Sequence, residues 1–318
     1  MASYASGGIN KLIFSMKDRV KLLDGEQFIE IDRPAPFVSR ITLNRPEKRN
    51  CMNHELRGQL FNQLQLNDQD PDIRVTIIRG AGKSFCAGYD LDMKRNVAMP
   101  MFEAEGDGMF QRHVLNGWFM MMDLAKPVIA QVQGYCLAGG SELAAACDII
   151  VCAETAKIGY PPVRSMGLPD TQIFPWVCGM RKAMEIMLTG DNMTGTEAAK
   201  CGWATRVVPD AELEKATLDL AQRVAKIPSD LLAYNKRSVH RAMEAKGMRT
   251  HLRSGTDLQA LSFHSSSSRQ FMKQFTGRGN SASKAFSKRD AKFGDNRVVD
   301  PKKAQEANRK AATPRSNL

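Results

Sequence analysis

Residues 134–143 read GYCLAGGSEL and connect an apolar, strand-like run at 128–132 to a short helix-like run at 141–147. The small residues in this turn allow another group to approach the backbone closely. The first turn of a helix also carries N–H groups without partners inside the helix, together with the positive end of the helix dipole. The stretch therefore predicts a strand–turn–helix unit whose backbone donors can meet a ligand oxygen.

A second loop of the same kind lies earlier in the chain. Residues 84–91 read SFCAGYDL, and they follow a strand-like run at 75–79 and a glycine turn at 80–82. Two backbone N–H groups that converge on one oxygen form an oxyanion hole, which stabilises developing negative charge. A single glycine pair is a common way to begin a helix, so each loop alone indicates function only weakly.

Around these loops, segments with strand-like alternation are interleaved with segments of helical spacing. This pattern predicts an α/β architecture with crossover helices. The predicted strands are 39–43, 75–79, 128–132 and 148–152, and the predicted helices between them are 54–65, 109–124 and 141–147. After residue 181 the chain is mostly helical, with helices predicted at 183–188, 196–201, 211–225 and 229–244.

Composition and pattern divide the 318 residues into four parts. We expect an N-terminal arm at 1–26, an α/β core at 27–208, a helical region at 209–275 and a basic, flexible tail at 276–318. The formal net charge is +11, and residues 276–318 hold eleven Lys/Arg and four Asp/Glu, a net +7. The segment 263–300 is rich in Ser, Gly, Asn and Lys, a composition that predicts tail.

The composition also excludes several classes of protein. With 43% hydrophobic and 25% charged residues, the chain is not disordered, collagenous or built on disulfides. No apolar run approaches the ~18 residues that span a bilayer, and the N-terminus lacks the apolar segment of a secretory signal. Seven cysteines without a Cys-x-x-Cys pair and five scattered histidines predict reduced thiols, no metal site and a cytoplasmic location.

Four segments together resemble the enoyl-CoA hydratase/isomerase family, the crotonases. They are residues 41–50 (ITLNRPEKRN), the loop at 86–91, the block at 134–148 and the segment at 191–208, in the order and spacing of the family. The resemblance covers roughly residues 27–250. It implies a crotonase-like superhelix of ββα turns with a helical C-terminal trimerisation region, and therefore a homotrimer or homohexamer.

The resemblance also implies a substrate and a set of contacts. The substrate is an acyl-CoA thioester, so coenzyme A is part of the substrate and no separate cofactor is expected. The backbone N–H groups of Tyr89 and Gly139 would form the oxyanion hole. Further substrate contacts are expected at Lys48, Arg49, Ala87, Gly140 and Tyr160. The positive charges of Lys48 and Arg49 suit the phosphates at the nucleotide end of CoA.

The carboxylates depart from the pattern of the family. Hydratases of this family use two, and Glu142 stands at the first position, where it could also be a partner of the helix dipole. The second position falls on Pro162, and proline has no titratable side chain. Asp170 lies eight residues later and resembles the aspartate of dienoyl-CoA isomerases and of members in which an aspartate attacks the substrate. It could equally be a helix N-cap.

Three other side chains have both a functional and a structural interpretation. His113 lies where some family members place a helper histidine, but a helix-surface position is expected. Arg164 could meet a carboxylate on the acyl group, although an exposed loop arginine is the simpler expectation. Trp176 could face the acyl group or pack in the core.

The sequence thus predicts a hydratase or lyase of the crotonase family that stabilises a thioester enolate, with Glu142 moving protons. A dienoyl-CoA isomerase or an acyl-CoA hydrolase using Asp170 is the alternative within enzymes. A hypothesis of another class is a catalytically weak module that binds CoA or RNA, the RNA through the basic tail. The tail has no arginine–glycine repeat or interleaved aromatic residues, so nucleic-acid binding is not favoured.

Overall fold

The computed structural model describes residues 26–91, 109–276 and 282–294. The strands are β1 (Ile29–Ala35), β2 (Phe37–Leu43), β3 (Ile73–Gly80), β4 (Val128–Val132), β5 (Tyr135–Leu137), β6 (Ile149–Ala153), β7 (Lys157–Gly159), β8 (Met193–Thr194) and β9 (Arg206–Val208). The helices are α1 (His54–Gln69), α2 (Met109–Asp123), α3 (Gly139–Ala145), α4 (Phe174–Thr189), α5 (Gly195–Cys201), α6 (Leu213–Val224), α7 (Ser229–Ala245), α8 (Met248–Ser262), α9 (Ser266–Thr276) and α10 (Ala282–Ala291).

The strands form two sheets. The larger has the order β1-β2-β3-β4-β6-β9, in which β1 and β2 are antiparallel and every other neighbouring pair is parallel. The smaller has the order β5-β7-β8. Parallel neighbours need crossover connections, which helices such as α1 and α3 supply. The α/β architecture predicted from the alternation of segments is therefore confirmed.

The larger sheet is covered on both faces. Val75, Ile77 and Ile129 belong to a core cluster with Leu213 and Leu220 of α6. The alternate residues of the same strands, such as Ile78 and Ala130, belong to the main core with α1 and α2. Strands buried on both faces are continuous apolar runs rather than strictly alternating ones, as parallel sheets require.

Helix α1 begins as its sequence predicts and continues four residues further. The side chain of Asn53 accepts a hydrogen bond from the Leu56 N–H at 2.9 Å and caps the helix. Leu56, Leu60 and Leu64 are at most 1% exposed, so their spacing marks the face that packs on the sheet.

The prediction that residues 263–300 form a tail is wrong for two stretches, which are the helices α9 and α10. Ser265 lies just before α9, and its hydroxyl accepts a hydrogen bond from the Ser268 N–H at 3.2 Å. The serine run is thus a helix start rather than a linker. Phe271 stacks on Phe286 with ring centroids 6.2 Å apart, which joins the two helices. The division of the chain into four parts stays a prediction.

Within the described ranges, none of the helices combines the length and the apolar character that crossing a membrane requires.

Candidate active site

The two glycine-rich loops predicted from the sequence are in direct contact. Cys86 and Cys136 form a parallel bridge, and the Leu137 N–H donates to the Cys86 carbonyl at 3.0 Å. Gly88 has a φ of 110°, and a Cβ there would lie 2.9 Å from the Cβ of Ala138. Only glycine allows this approach, which places residue 89 beside the N-terminus of α3.

This contact brings together two backbone donors, the N–H groups of Tyr89 and Gly139. The hydrogen bonds on either side of Tyr89 run from Met52 N to Gly88 O and from Asp90 N to Met52 O. Neither the Tyr89 N–H nor the Gly139 N–H donates to another described residue. Gly139 is the first residue of α3, where N–H groups have no partner inside the helix.

The backbone before Gly139 is held in an unusual conformation. Ala138 has φ 52° and ψ −129°, a combination that costs about 1–3 kcal/mol for a residue with a Cβ. The Ser141 hydroxyl donates to the carbonyl of Ala138 at 2.7 Å and contacts that of Gly159 at 3.2 Å. These bonds hold the strained turn in place and fix the direction of the Gly139 N–H.

Glu142 of α3 is a buried carboxyl group whose two oxygens have different surroundings. Its Oε1 accepts two hydrogen bonds from Thr171, one from the backbone N–H and one from the hydroxyl, both at 2.8 Å. Its Oε2 is buried without a partner among the described residues. Burial and the nearby charge of Asp170 raise the pKa of Glu142 well above its usual range. The raised pKa extends the pH range over which Glu142 keeps its proton.

Asp170 lies beside this carboxyl group and is 5% exposed. Its backbone carbonyl accepts a hydrogen bond from the Thr256 hydroxyl of α8. The interpretation of Asp170 as a helix N-cap is wrong, because the next helix, α4, has Ile173 at that position. Burial raises the pKa of Asp170, and the Tyr89 hydroxyl, the positive charge of Arg57 and the side chain of Gln259 oppose this shift. The charge of Arg57 acts on both carboxyl groups, since it also opposes the rise in the pKa of Glu142.

Two tyrosines complete the surroundings of the carboxyl groups. Tyr160 is 3% exposed, and its pKa is raised by burial and by the charges of Glu142 and Asp170. The Tyr89 hydroxyl is buried beside Asp170. Burial, followed by the charge of Asp170, raises the pKa of this phenol as well. Tyr160 and the backbone of Tyr89 were predicted; the position of the Tyr89 ring was not.

Arg57 is the member of this group that the sequence interpretation missed. It projects from α1, is 8% exposed, and its guanidinium carbon lies 5.5 Å from the Tyr89 ring centroid. The same carbon lies 5.7 Å from the ring centroid of Phe61 and 5.9 Å from that of Trp118. A signal was present, because Arg57 follows Leu56 and precedes Phe61 by four residues, which places it on the buried face of α1. Arg57, Tyr89, Glu142 and Asp170 are called the acid–base cluster below.

The remaining predicted contacts lie around the two loops. Lys48 and Arg49 are exposed at the end of a 3-10 turn, with the Arg49 guanidinium 4.9 Å from the ring centroid of Tyr135. The Ala87 N–H donates to the Arg49 carbonyl at 3.1 Å, which connects this turn to the Tyr89 loop. Gly140 packs against the Cys86 carbonyl, so tightly that a Cβ would lie 2.2 Å from that oxygen.

Two of the side chains with open interpretations are settled as structural. Arg164 is not an exposed loop arginine: its side chain is 5% exposed and pairs with Asp191 at 2.8 Å and Asp290 of α10 at 3.2 Å. Trp176 is half-buried and packs against the main core, and its Nε1 donates to Nδ1 of His251 at 2.7 Å. The His113 side chain lies outside the described residues.

Pro162, the position expected for a second glutamate, lies two residues after Tyr160. Pro162 is inside the 3-10 turn Pro161–Arg164, so this turn brings no carboxyl group to the site. No group of three or more His, Cys, Asp or Glu side chains is arranged to hold a metal ion in the described ranges. The titratable chemistry of the site therefore rests on Glu142, Asp170 and the two tyrosines.

Comparisons with known proteins agree on one family. The enoyl-CoA hydratase/isomerase family profile matches residues 36–285. A probable mitochondrial enoyl-CoA hydratase of Dictyostelium discoideum is 33% identical over 231 residues, which cover 72% of this chain and 79% of that protein. An enoyl-CoA hydratase structure from Mycobacterium smegmatis has a TM-score of 0.77 and 30% identity, covering 86% of this chain and 96% of that one. A monofunctional enoyl-CoA isomerase structure from the same organism has a TM-score of 0.58 and 29% identity, covering 71% and 98%.

The chain belongs to the enoyl-CoA hydratase/isomerase family, the crotonases. It is a member of an enzyme family, and its fold is the crotonase fold with a helical C-terminal region. The resemblance on the four sequence segments is thereby confirmed.

Proposed function

We propose that this protein is an acyl-CoA hydratase that adds water to the double bond of an enoyl-CoA thioester. The thioester oxygen would bind between the N–H groups of Tyr89 and Gly139. Addition of water to C3 of the acyl group places enolate charge on that oxygen, and each backbone donor stabilises it by about 2.7–4 kcal/mol. Two unpartnered N–H groups on loops in contact support this part of the proposal.

The observation that carries the proposal is the pair of carboxyl groups, Glu142 and Asp170, in one buried site. Asp170, with the Arg57 charge nearby, would accept a proton from the attacking water as its oxygen bonds to C3. Glu142 would deliver the proton on Oε2 to C2. Each hydration thus breaks the C2=C3 π bond, one water O–H bond and the O–H bond of Glu142. It forms one C–O bond, one C–H bond and the O–H bond of Asp170, whose proton then returns to Glu142.

The rest of the substrate would lie on surfaces already described. Lys48 and Arg49 would bind the phosphates of CoA, with Ala87, Gly140 and Tyr160 lining the path of the thioester and acyl group. Coenzyme A would enter as part of the substrate, with no separate cofactor. We expect the chain to form a homotrimer or homohexamer through its helical C-terminal region, and to be cytoplasmic.

Isomerisation of a dienoyl-CoA is the second candidate. It is favoured by one specific observation, the replacement of the second glutamate by Pro162 while Asp170 supplies a carboxyl group from another turn. In that reaction Asp170 and Glu142 would move a proton between carbons without adding water. Hydrolysis of the thioester with Asp170 is the remaining enzymatic alternative. A module that only binds CoA or RNA is disfavoured, because it would not need two buried carboxyl groups.

The test is mass spectrometry of a CoA-thioester panel with the wild-type protein, Glu142→Gln and Asp170→Asn. The panel contains enoyl, 3,5-dienoyl and 2-ketocyclic acyl esters, and exposed Glu154→Gln is the matched control. A gain of one water on an enoyl ester, lost in both site variants and kept in the control, is the expected result. Unchanged mass with a shifted absorbance spectrum would replace hydration by isomerisation. Release of free CoA would replace it by hydrolysis.

A further inference from the structure

Arg57 is a buried cation that the proposed proton transfers do not use as a donor. No hydrogen bond or ion pair joins its guanidinium to another residue in the described ranges, and its Nε is fully enclosed without an acceptor. The charges of Glu142 and Asp170 act on Arg57 across the site, but they do not hydrogen-bond to it. The donors of the guanidinium are therefore open to an oxygen atom of a ligand.

The three rings around Arg57 do not supply that partner. Phe61, Tyr89 and Trp118 attract the positive charge through their faces. A guanidinium nevertheless has five N–H donors and no acceptor, and a π face does not replace an oxygen lone pair. The arginine is held in place by its surroundings while its donors remain available.

The Tyr89 ring connects Arg57 to the expected position of the thioester. A Cβ on Gly139 would lie 2.8 Å from the same ring over which the guanidinium is placed. Three buried polar atoms without partners thus meet in the acid–base cluster: Nε of Arg57, the Tyr89 hydroxyl and Oε2 of Glu142. An acyl group that extends from Gly139 along the Tyr89 ring comes within reach of Arg57.

The charges of the cluster indicate which acceptor fits. Glu142 and Asp170 already place two carboxyl groups around the single cation of Arg57. A carboxylate on the acyl group would add a further negative charge to a buried site, which is costly. A neutral oxygen accepts from the guanidinium without adding charge.

We propose that Arg57 is a specificity-determining residue whose guanidinium donates to a neutral carbonyl oxygen on the acyl chain. This inference rests on the proposed function, since it takes an acyl-CoA thioester as the ligand held at Tyr89 and Gly139. The substrate class is then an oxo-substituted acyl-CoA rather than one with a plain alkyl chain. A site built to donate a hydrogen bond disfavours the analogue that lacks the acceptor.

The test measures binding of unreactive saturated esters by titration calorimetry, so that it does not depend on turnover. The probes are hexanoyl-CoA, 4-oxohexanoyl-CoA, 5-oxohexanoyl-CoA and adipoyl-CoA. A hydrogen bond to a charged donor predicts that one oxo ester binds the wild-type protein about 10- to 100-fold more tightly than hexanoyl-CoA. Adipoyl-CoA, with its terminal carboxylate, is expected to bind no better than hexanoyl-CoA.

Arg57→Met should abolish the preference, so that the oxo ester and hexanoyl-CoA bind this variant with equal affinity. Arg57→Lys should keep part of the preference, and removal of an exposed arginine by Arg181→Met should keep all of it. Equal affinity of the wild type for oxo and alkyl esters would overturn the inference, as would adipoyl-CoA binding most tightly. Absence of binding by all four esters would instead overturn the proposed function itself. The wild-type comparison decides the matter even if a variant fails to fold.

Discussion

The two adjacent glycines at the start of α3 should respond differently to a single added methyl group, one with a loss of stability and the other with a loss of activity. A Cβ on Gly140 would lie 2.2 Å from the Cys86 carbonyl oxygen, whereas ordinary contact begins at 3.4 Å. That oxygen belongs to backbone and already accepts from the Leu137 N–H at 3.0 Å. A Cβ on Gly139 would instead meet the Tyr89 ring at 2.8–3.0 Å, and a ring can move by a few tenths of an ångström.

The magnitudes follow from these contacts. Gly140→Ala forces two backbone segments apart, which costs about 3 kcal/mol or more, against about 1 kcal/mol gained from the helix preference of alanine. We therefore expect the free energy of unfolding to fall by at least about 2 kcal/mol. For Gly139→Ala the cost of displacing the Tyr89 ring and the gain from the helix preference of alanine roughly cancel in stability. The displaced ring nevertheless moves the acid–base cluster. Displacements of this size lower kcat/KM by roughly tenfold or more.

Urea unfolding and steady-state kinetics on the two variants and the wild type form the assay. The expected result is a destabilised Gly140→Ala variant and a stable but slow Gly139→Ala variant. Each variant is the matched control for the other, since both add one methyl group to the same helix turn. Equal losses of stability, or a Gly139→Ala variant of wild-type kcat/KM, would refute the assigned contacts.

Three further results are expected. The folded protein binds the Glu142 proton more tightly than the unfolded chain does, so stability falls as the pH rises above about 4.5, the ordinary pKa of a glutamic acid. Glu142→Gln should therefore become increasingly stable relative to wild type between pH 5 and pH 8 in urea unfolding, and parallel curves would contradict the raised pKa. Arg45→Met should cost about 3–5 kcal/mol in urea unfolding, because it leaves Asp90 of a buried 2.7 Å ion pair without its cation; Arg33→Met, at an exposed pair, is the control and should change little. Trp118→Ala should cost about 3–5 kcal/mol by the same measurement, since this residue is 1% exposed in the core.

The parts of the site that could be predicted are those that depend on residues close together in the sequence. Glycine loops before helices, the glutamate inside one of them and the apolar spacing of α1 are short-range patterns. They fix backbone conformation within a few residues. Pro162 could be identified as a missing carboxyl group for the same reason, because the spacing within one strand–turn unit is short.

The parts that could not be predicted depend on contacts between distant segments. Arg164 looked like a loop arginine because its partners, Asp191 and Asp290, lie 27 and 126 residues away. The helices α9 and α10 looked like tail because composition averages over serines and lysines, whereas packing depends on single residues such as Phe271 and Phe286. Local propensity is overridden by such tertiary contacts.

The loss of the second glutamate is compatible with acid–base chemistry because Asp170 and Thr171 act as one unit. The backbone carbonyl of Asp170 is held by Thr256, and the adjacent Thr171 fixes Oε1 of Glu142 with two hydrogen bonds. The Asp170 carbonyl that Thr256 holds and the Thr171 N–H that binds Glu142 belong to the same peptide unit. A single planar segment therefore sets the position of one carboxyl group relative to the other. A carboxyl group on the turn at Pro162 would need its own support. Placing it at Asp170 uses the support that already orients Glu142, and it brings the carboxyl group under the charge of Arg57.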